Sequence, residues 1–140
     1  MTVHSRYFLD SNIWIYALSD DNDSKALAAR DLVNGLGSGI YFSSQVVNET
    51  CLNLKRKSSI SEAELRKLLR SFFVNYTHVE LTETDLLDAS ALRERFAFSF
   101  WDSLIAVAAI SADAEILYSE DMQDGFVLNG KTKIVNPFNN

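Results

Sequence analysis

The chain has 140 residues, is 47% hydrophobic and carries a net charge of −6 at pH 7. That size and apolar content predict a single folded domain over residues 1–140 with an ordinary core, and exclude a disordered chain. The acidic balance argues against binding to nucleic acid through bulk positive charge, and the one cysteine, Cys51, excludes an internal disulfide or a cysteine-rich zinc site. The start, residues 1–10, has charges and no long apolar core of the kind a secretory signal needs. The most apolar run is too short to span a bilayer, so a cytoplasmic location without a membrane is expected.

Tyr7-Phe8-Leu9 reads as a short buried strand ending at Asp10, with a short helix over residues 12–18 straight after it. An acidic loop follows, and Asp23 or Ser24 can cap a helix that runs to Val33. Gly35, Gly37 and Gly39 end that helix and turn the chain into a second strand, Ile40-Tyr41-Phe42. Ser43 or Ser44 caps a helix through Glu49 to about Lys57. Ser61 with Glu64 fits a capping box, opening a helix to about Val74. Residues 78–81 read as a third strand. Thr82 with Asp85 fits a second capping box, for a helix to Phe96. Residues 115–118 read as a fourth strand, Gly125 and Gly130 punctuate a loop, and Lys133-Ile134-Val135 is the last strand. Strands alternating with helices predict an α/β fold with a central parallel sheet covered on both faces. No linker, repeat or low-complexity tract interrupts it.

The stretch from Phe100 to Ala109 is the most apolar in the chain, and its alanine content favours helix over strand. A helix apolar on nearly every side belongs in the core. Asp102 then lies in the first turn of a buried helix, where a lone carboxylate is costly unless it is paired, hydrogen-bonded or bound to a metal. Three more acids can share its location. Asp10 and Asp121 fall at or just past the carboxyl ends of strands, where open parallel sheets bind ligands, and Glu49 lies in the helix after the second strand. Clustered carboxylates raise one another's pKa and need a cation to stay ionised together. An oxygen-only set suits Mg²⁺ or Mn²⁺ rather than zinc. The four acids account for most of the net charge.

Asp10-Ser11-Asn12 after a strand, Val47-Asn48-Glu49 in a helix, Phe100-Trp101-Asp102 opening an apolar helix and Tyr118-Ser119-Glu120-Asp121 after a late strand resemble the four motifs of the PIN domain. More closely, the chain resembles the VapC-type ribonuclease toxins of toxin–antitoxin pairs. Residues 119–125, followed by Ile134-Val135-Asn136-Pro137-Phe138, add to that likeness. The resemblance implies a three-layer α/β/α sandwich and a Mg²⁺- or Mn²⁺-dependent endoribonuclease acting on RNA phosphodiesters, with 5′-phosphate and 3′-hydroxyl products. It implies a catalytic and metal site of Asp10, Glu49, Asp102 and Asp121, supported by Asn12 and Ser119. Ser119 stands where the family often has threonine. The resemblance also implies a homodimer and a cognate antitoxin whose chain covers the site.

Each residue has a plainer reading. Asp10 and Asp121 can be turn residues or caps, Glu49 a solvated helix residue and Asp102 an N-cap. Asp124 reads as a turn residue ahead of Gly125, His4 as a solvated terminal residue, His78 as a strand residue and Cys51 as core. Trp14 and Trp101 read as core or interface anchors, with base stacking as the functional alternative. Lys55, Arg56, Lys57, Arg66, Lys67 and Arg70 crowd one helical hairpin. They are either a solvated surface interleaved with Glu62 and Glu64 or, through Lys55, Arg56 and Lys57, a guide for the RNA backbone. Two rival functions remain. One is a non-catalytic binding module on the same fold. The other is phosphotransfer through an aspartyl-phosphate at Asp10, which is disfavoured because the second Asp of a haloacid-dehalogenase-like site is Asn12 here.

Overall fold

The computed structural model describes residues 4–139. Residues 1–3, part of the stretch read above for a secretory signal, and residue 140 lie outside the described residues. The elements run β1 (Tyr7–Leu9), α1 (Ser11–Leu18), α2 (Ser24–Leu36), β2 (Ile40–Ser43), α3 (Ser44–Lys57), α4 (Glu62–Asn75) and β3 (Thr77–Val79). They continue with α5 (Glu83–Arg95), α6 (Phe100–Ser111), β4 (Ile116–Tyr118), β5 (Val127–Leu128) and β6 (Thr132–Val135). Side-chain caps start the helices where the sequence offers them: Asp23 for α2, Ser43 for α3, and complete capping boxes at Ser61/Glu64 and Thr82/Asp85 for α4 and α5.

The six strands form one sheet in the order β3-β2-β1-β4-β6-β5. All neighbours are parallel except the β5–β6 pair. From β1 the chain steps outward to β2 and β3, then returns across β1 to β4. Parallel crossovers are right-handed, so the two directions of travel put α1 to α4 on one face and α5 and α6 on the other. The helix contacts agree: α1 packs on α2 and α3, and α5 packs on α6. The expected α/β/α layering is therefore present, around a mostly parallel sheet.

Phe8, Leu9, Phe42, Leu117 and Ile134 from the strands are fully buried, as are Ala106, Ala108 and Ala109 of α6. The alanines let α6 approach the sheet closely while excluding water from it. Trp14 is sealed in the core, edge-on to Phe72 at 4.6 Å.

Beyond shifts of a single residue at several ends, three differences from the sequence reading stand out. Gly35 does not stop α2, which runs to Leu36. An internal glycine weakens a helix without ending it; the stop is Gly37, whose φ of 55° only glycine adopts freely. The third strand begins at Thr77 and ends at Val79. The loop after Gly125 contains a strand the sequence reading did not place. Asn129 and Gly130 both have positive φ, and Lys131 N–H donates to the Leu128 carbonyl at 2.9 Å. This is a tight turn that folds β5 back on β6, and the Asn-Gly pair is its signature.

Candidate active site

The reversal of direction at β1 leaves a crevice between β1 and β4, the place where open parallel sheets bind ligands. Leu9 pairs with Tyr118, so both strands end together, and Asp10 N–H donates to the Tyr118 carbonyl at 2.9 Å. Asp10 and the Ser119-Glu120-Asp121 turn thus leave the sheet side by side.

Asp10 is the buried floor of the site, 5% exposed. It is the N-cap of α1. Its Oδ1 accepts from Ser11 N–H at 2.7 Å, and its Oδ2 accepts from the Ser119 hydroxyl at 2.7 Å. Burial raises its pKa to about 6, opposed by the Ser119 and Ser11 hydrogen bonds and reinforced by the charges of Asp102 and Glu49. The other three acids are progressively more open. Glu49, half-buried on α3, accepts from Ser11 Oγ at 2.8 Å and from Gln45 Nε2 at 2.8 Å. Asp102, half-buried in the first turn of α6, sits over the cap of its own helix, where its N–H donates to Ser99 Oγ at 3.1 Å. Its pKa is raised by burial, against the pull of Ser99, with Asp121 and Glu49 adding to the rise. Asp121, exposed at the rim, accepts from Asn12 Nδ2 at 3.1 Å. Ser119 Oγ receives the N–H groups of Asp121 and Met122, both at 3.3 Å, so one hydroxyl holds the turn and Asp10 together.

The structure thus brings Asp10, Glu49, Asp102 and Asp121 to one edge of the sheet, with Asn12 and Ser119 bracing the acids at its two ends. Asp102 and Glu49 act on Asp10, Asp121 and Glu49 act on Asp102, and among the described residues none of the four is in an ion pair. No set of three His, Cys, Asp or Glu side chains among the described residues is gathered closely enough to hold a metal ion outright. The donor set nevertheless fits a hard divalent cation. It is all oxygen and has excess negative charge with no internal counter-ion. Mg²⁺ commonly takes one or two carboxylates and completes its shell with water.

The PIN domain family model matches residues 7–124, the segment that carries all four acids. The chain belongs to the PIN domain family. No curated protein matches it. The PIN fold is also that of solved structures at low identity. A toxin–antitoxin complex from Klebsiella pneumoniae aligns with a TM-score of 0.72 at 17% identity, over 96% of this chain and 98% of that one. VapC20 of Mycobacterium tuberculosis, described as a sarcin–ricin loop cleaving toxin, aligns at 0.62 and 17%, over 79% and 86%. VapBC2 of Rickettsia felis, bound to a DNA fragment from its promoter, aligns at 0.58 and 23%, over 82% and 86%.

Other residues singled out in the sequence lie elsewhere on this PIN domain. Lys55, Arg56 and Lys57 are exposed in the last turn of α3, roughly two turns beyond Glu49, and Lys55 is paired with Glu62. Asp124 accepts from Asn136 N–H and Asn139 Nδ2, tying the loop before Gly125 to the C-terminal segment. Cys51 is half-buried against the core, and burial pushes its thiol pKa up, the opposite of an activated nucleophile. His4 is exposed, and the His78 ring meets the Ser44 hydroxyl at 2.9 Å.

Sequence reading gave no role to Ser11, Gln45 or Glu120. Ser11 links Asp10 to Glu49. Gln45 links Glu49 to the Trp101 carbonyl, at 3.3 Å. Glu120 points away from the acids, bonded by the Tyr16 hydroxyl at 2.8 Å and paired with Lys25. These are polar residues in ordinary helix and turn positions, and only the packing of distant segments reveals their partners.

Proposed function

We propose that this PIN domain is a divalent-metal-dependent endoribonuclease and the toxin of a toxin–antitoxin pair, with Asp10, Glu49, Asp102 and Asp121 as its catalytic and metal-binding acids. The observation that carries this is the meeting of four acids from four separate elements at the β1–β4 switch point, without a cation of the protein's own. When bound, Mg²⁺ or Mn²⁺ supplies charge to offset the carboxylates and the Lewis acidity that phosphodiester hydrolysis requires. The chain's residues do the rest. Ser11 and Ser119 fix the Asp10 carboxylate, Gln45 and Ser11 aim Glu49, and Asn12 holds Asp121 over the rim. Asp102 opens α6 half-exposed to the crevice, available to an ion or to the attacking water.

Solved relatives of the same fold are a toxin in complex with its antitoxin and a toxin described as cleaving the sarcin–ricin loop. They support an RNA substrate and an antitoxin partner here. A homodimer and a cytoplasmic location belong to the same reading, and no helix among the described residues is long and apolar enough to cross a membrane. Guidance of the RNA backbone by Lys55, Arg56 and Lys57 has less support, since Lys55 is already paired with Glu62. Phosphotransfer through Asp10 is disfavoured because both of its carboxylate oxygens accept hydrogen bonds and the group is buried.

The test is cleavage of total RNA by the purified protein with Mn²⁺ or with chelator, beside Asp102→Asn. Metal-dependent cutting that the variant lacks, with a melting temperature in chelator no lower than that of the wild type, is the expected result. Cutting by Asp102→Asn overturns the assignment of the acids. Absence of both cutting and metal binding leaves a non-catalytic binding module.

A further inference from the structure

α6 opens with two large aromatic side chains that its burial pattern does not explain. Phe100 is 56% exposed and Trp101 61%, although the same helix is sealed from Ile105 to Ala109. Exposed apolar groups at a helix start are ordinary when they are loose, but these are held. The two rings meet edge to face, 5.4 Å apart and inclined by 76°. The Arg93 guanidinium of α5 lies 4.2 Å over the Phe100 ring while its Nη1 donates to Ser103 Oγ at 2.6 Å. The backbone is held as well. Gln45 Nε2 donates both to the Trp101 carbonyl and to the Glu49 carboxylate, so one amide locks Trp101 to the acid site.

We infer that Trp101, braced by Phe100 with Arg93 behind it, is a stacking platform for an unpaired nucleobase next to the scissile phosphodiester. The inference rests on the ribonuclease reading and adds to it where the affinity comes from. A chain of net charge −6 gains little from the phosphate backbone. Stacking on an aromatic face needs no charge and accepts any base. A phosphodiester held among Asp10, Glu49, Asp102 and Asp121 puts its flanking bases within one nucleotide of Asp102, and Trp101 is the adjoining residue. The Phe100 ring packs on the indole and Gln45 holds the Trp101 backbone, so less entropy is lost when a base settles there. Arg93 adds a cation over the Phe100 ring of this aromatic pair, and cations beside stacked rings strengthen such contacts.

The experiment uses the uncleaving Asp121→Asn protein and a short single-stranded RNA spanning the main site cut in total RNA by the wild type. Versions of that RNA lacking one base at each position in turn are titrated in parallel. Affinity is read for every protein from the fluorescence anisotropy of a dye at the end of the RNA; because Trp14 is buried, quenching of the exposed indole emission separately reports Trp101 in the protein that keeps it. The expected result is quenching on RNA addition, and a loss of affinity of roughly 5- to 150-fold when one base beside the cut is removed. Adding Trp101→Ala should weaken binding of the intact RNA by a similar factor and abolish the sensitivity to that base, while Trp101→Phe restores most of both. A Trp101→Ala protein that stays sensitive to base removal overturns the platform, as does one that weakens intact and base-free RNA equally. A Trp101→Ala protein whose dimer dissociates while RNA affinity per chain is unchanged overturns it too, in favour of an interface between copies. Wild-type protein that cuts no RNA removes the ribonuclease reading itself, a failure separate from loss of the platform alone.

Discussion

Asp10 serves two ends with one carboxylate. It caps α1, and it is the buried member of the acid cluster. Its pKa in the folded protein is about 6 against 3.8 in an ordinary chain. Between those values the folded state keeps a proton that the unfolded state has lost. The contribution of Asp10 is therefore most favourable below pH 4 and is lost as pH rises through 6, by up to about 3 kcal/mol. Asp102 acts in the same direction. Urea denaturation in chelator should show this as a falling difference in stability between wild type and Asp10→Asn from pH 4 to pH 7. Saturating Mn²⁺ at pH 7 should restore the wild type, because an ion bound only by the folded state stabilises it. A difference that does not change with pH would remove the electrostatic account of Asp10. That these acids would matter was legible in the sequence, because acids just beyond strands and at the head of an apolar helix have few comfortable places to go. Their partners were not legible. The Ser11–Glu49 and Gln45–Trp101 contacts bridge segments that only the folded sheet brings together.

The turn after β4 is held by its own neighbours more than by the acids it serves. Glu120 is clamped by Tyr16 and Lys25, and its N–H donates to Asn12 Oδ1 at 3.4 Å while Asn12 Nδ2 holds Asp121. The Tyr16 ring in turn meets Phe138 edge-on at 5.3 Å, with Lys25 over both rings. Glu120→Ala should therefore leave substrate KM nearly unchanged while lowering kcat and Mn²⁺ affinity several-fold, because Asp121 loses its fixed place rather than its charge. Glu120→Gln, which keeps the bond to Tyr16, should recover part of the loss. Equal effects of both variants on kcat would contradict the positioning role. At this scale the sequence spoke clearly for the helices. The capping boxes at Ser61 and Thr82 form as read, and of the pairs left open, Asp23 or Ser24 and Ser43 or Ser44, the first of each is the cap. It spoke weakly for β5, whose two residues are too few to show a period and whose Asn129-Gly130 turn was the sole signal.

At the scale of the molecule, alternation of strands and helices was enough to read the parallel sheet. The strand order was not readable, and it is the order that places the crevice. β1 lies between β2, which follows it directly, and β4, which comes from the last third of the chain. Asp10 and Glu49 precede β3, whereas Asp102 and Asp121 follow it. The connection between Val79 and Glu83 thus divides the acids two and two. On a ribosome, a nascent chain that has emerged only through β3 has half a site and an uncovered β1 edge, and the second half arrives late in synthesis. Severed at that connection, the protein becomes two pieces, each with half of the acids. On the proposed function, mixing them should give Mn²⁺-dependent RNA cleavage that neither piece has alone, which makes this division a natural place to put that activity under the control of whatever brings the halves together.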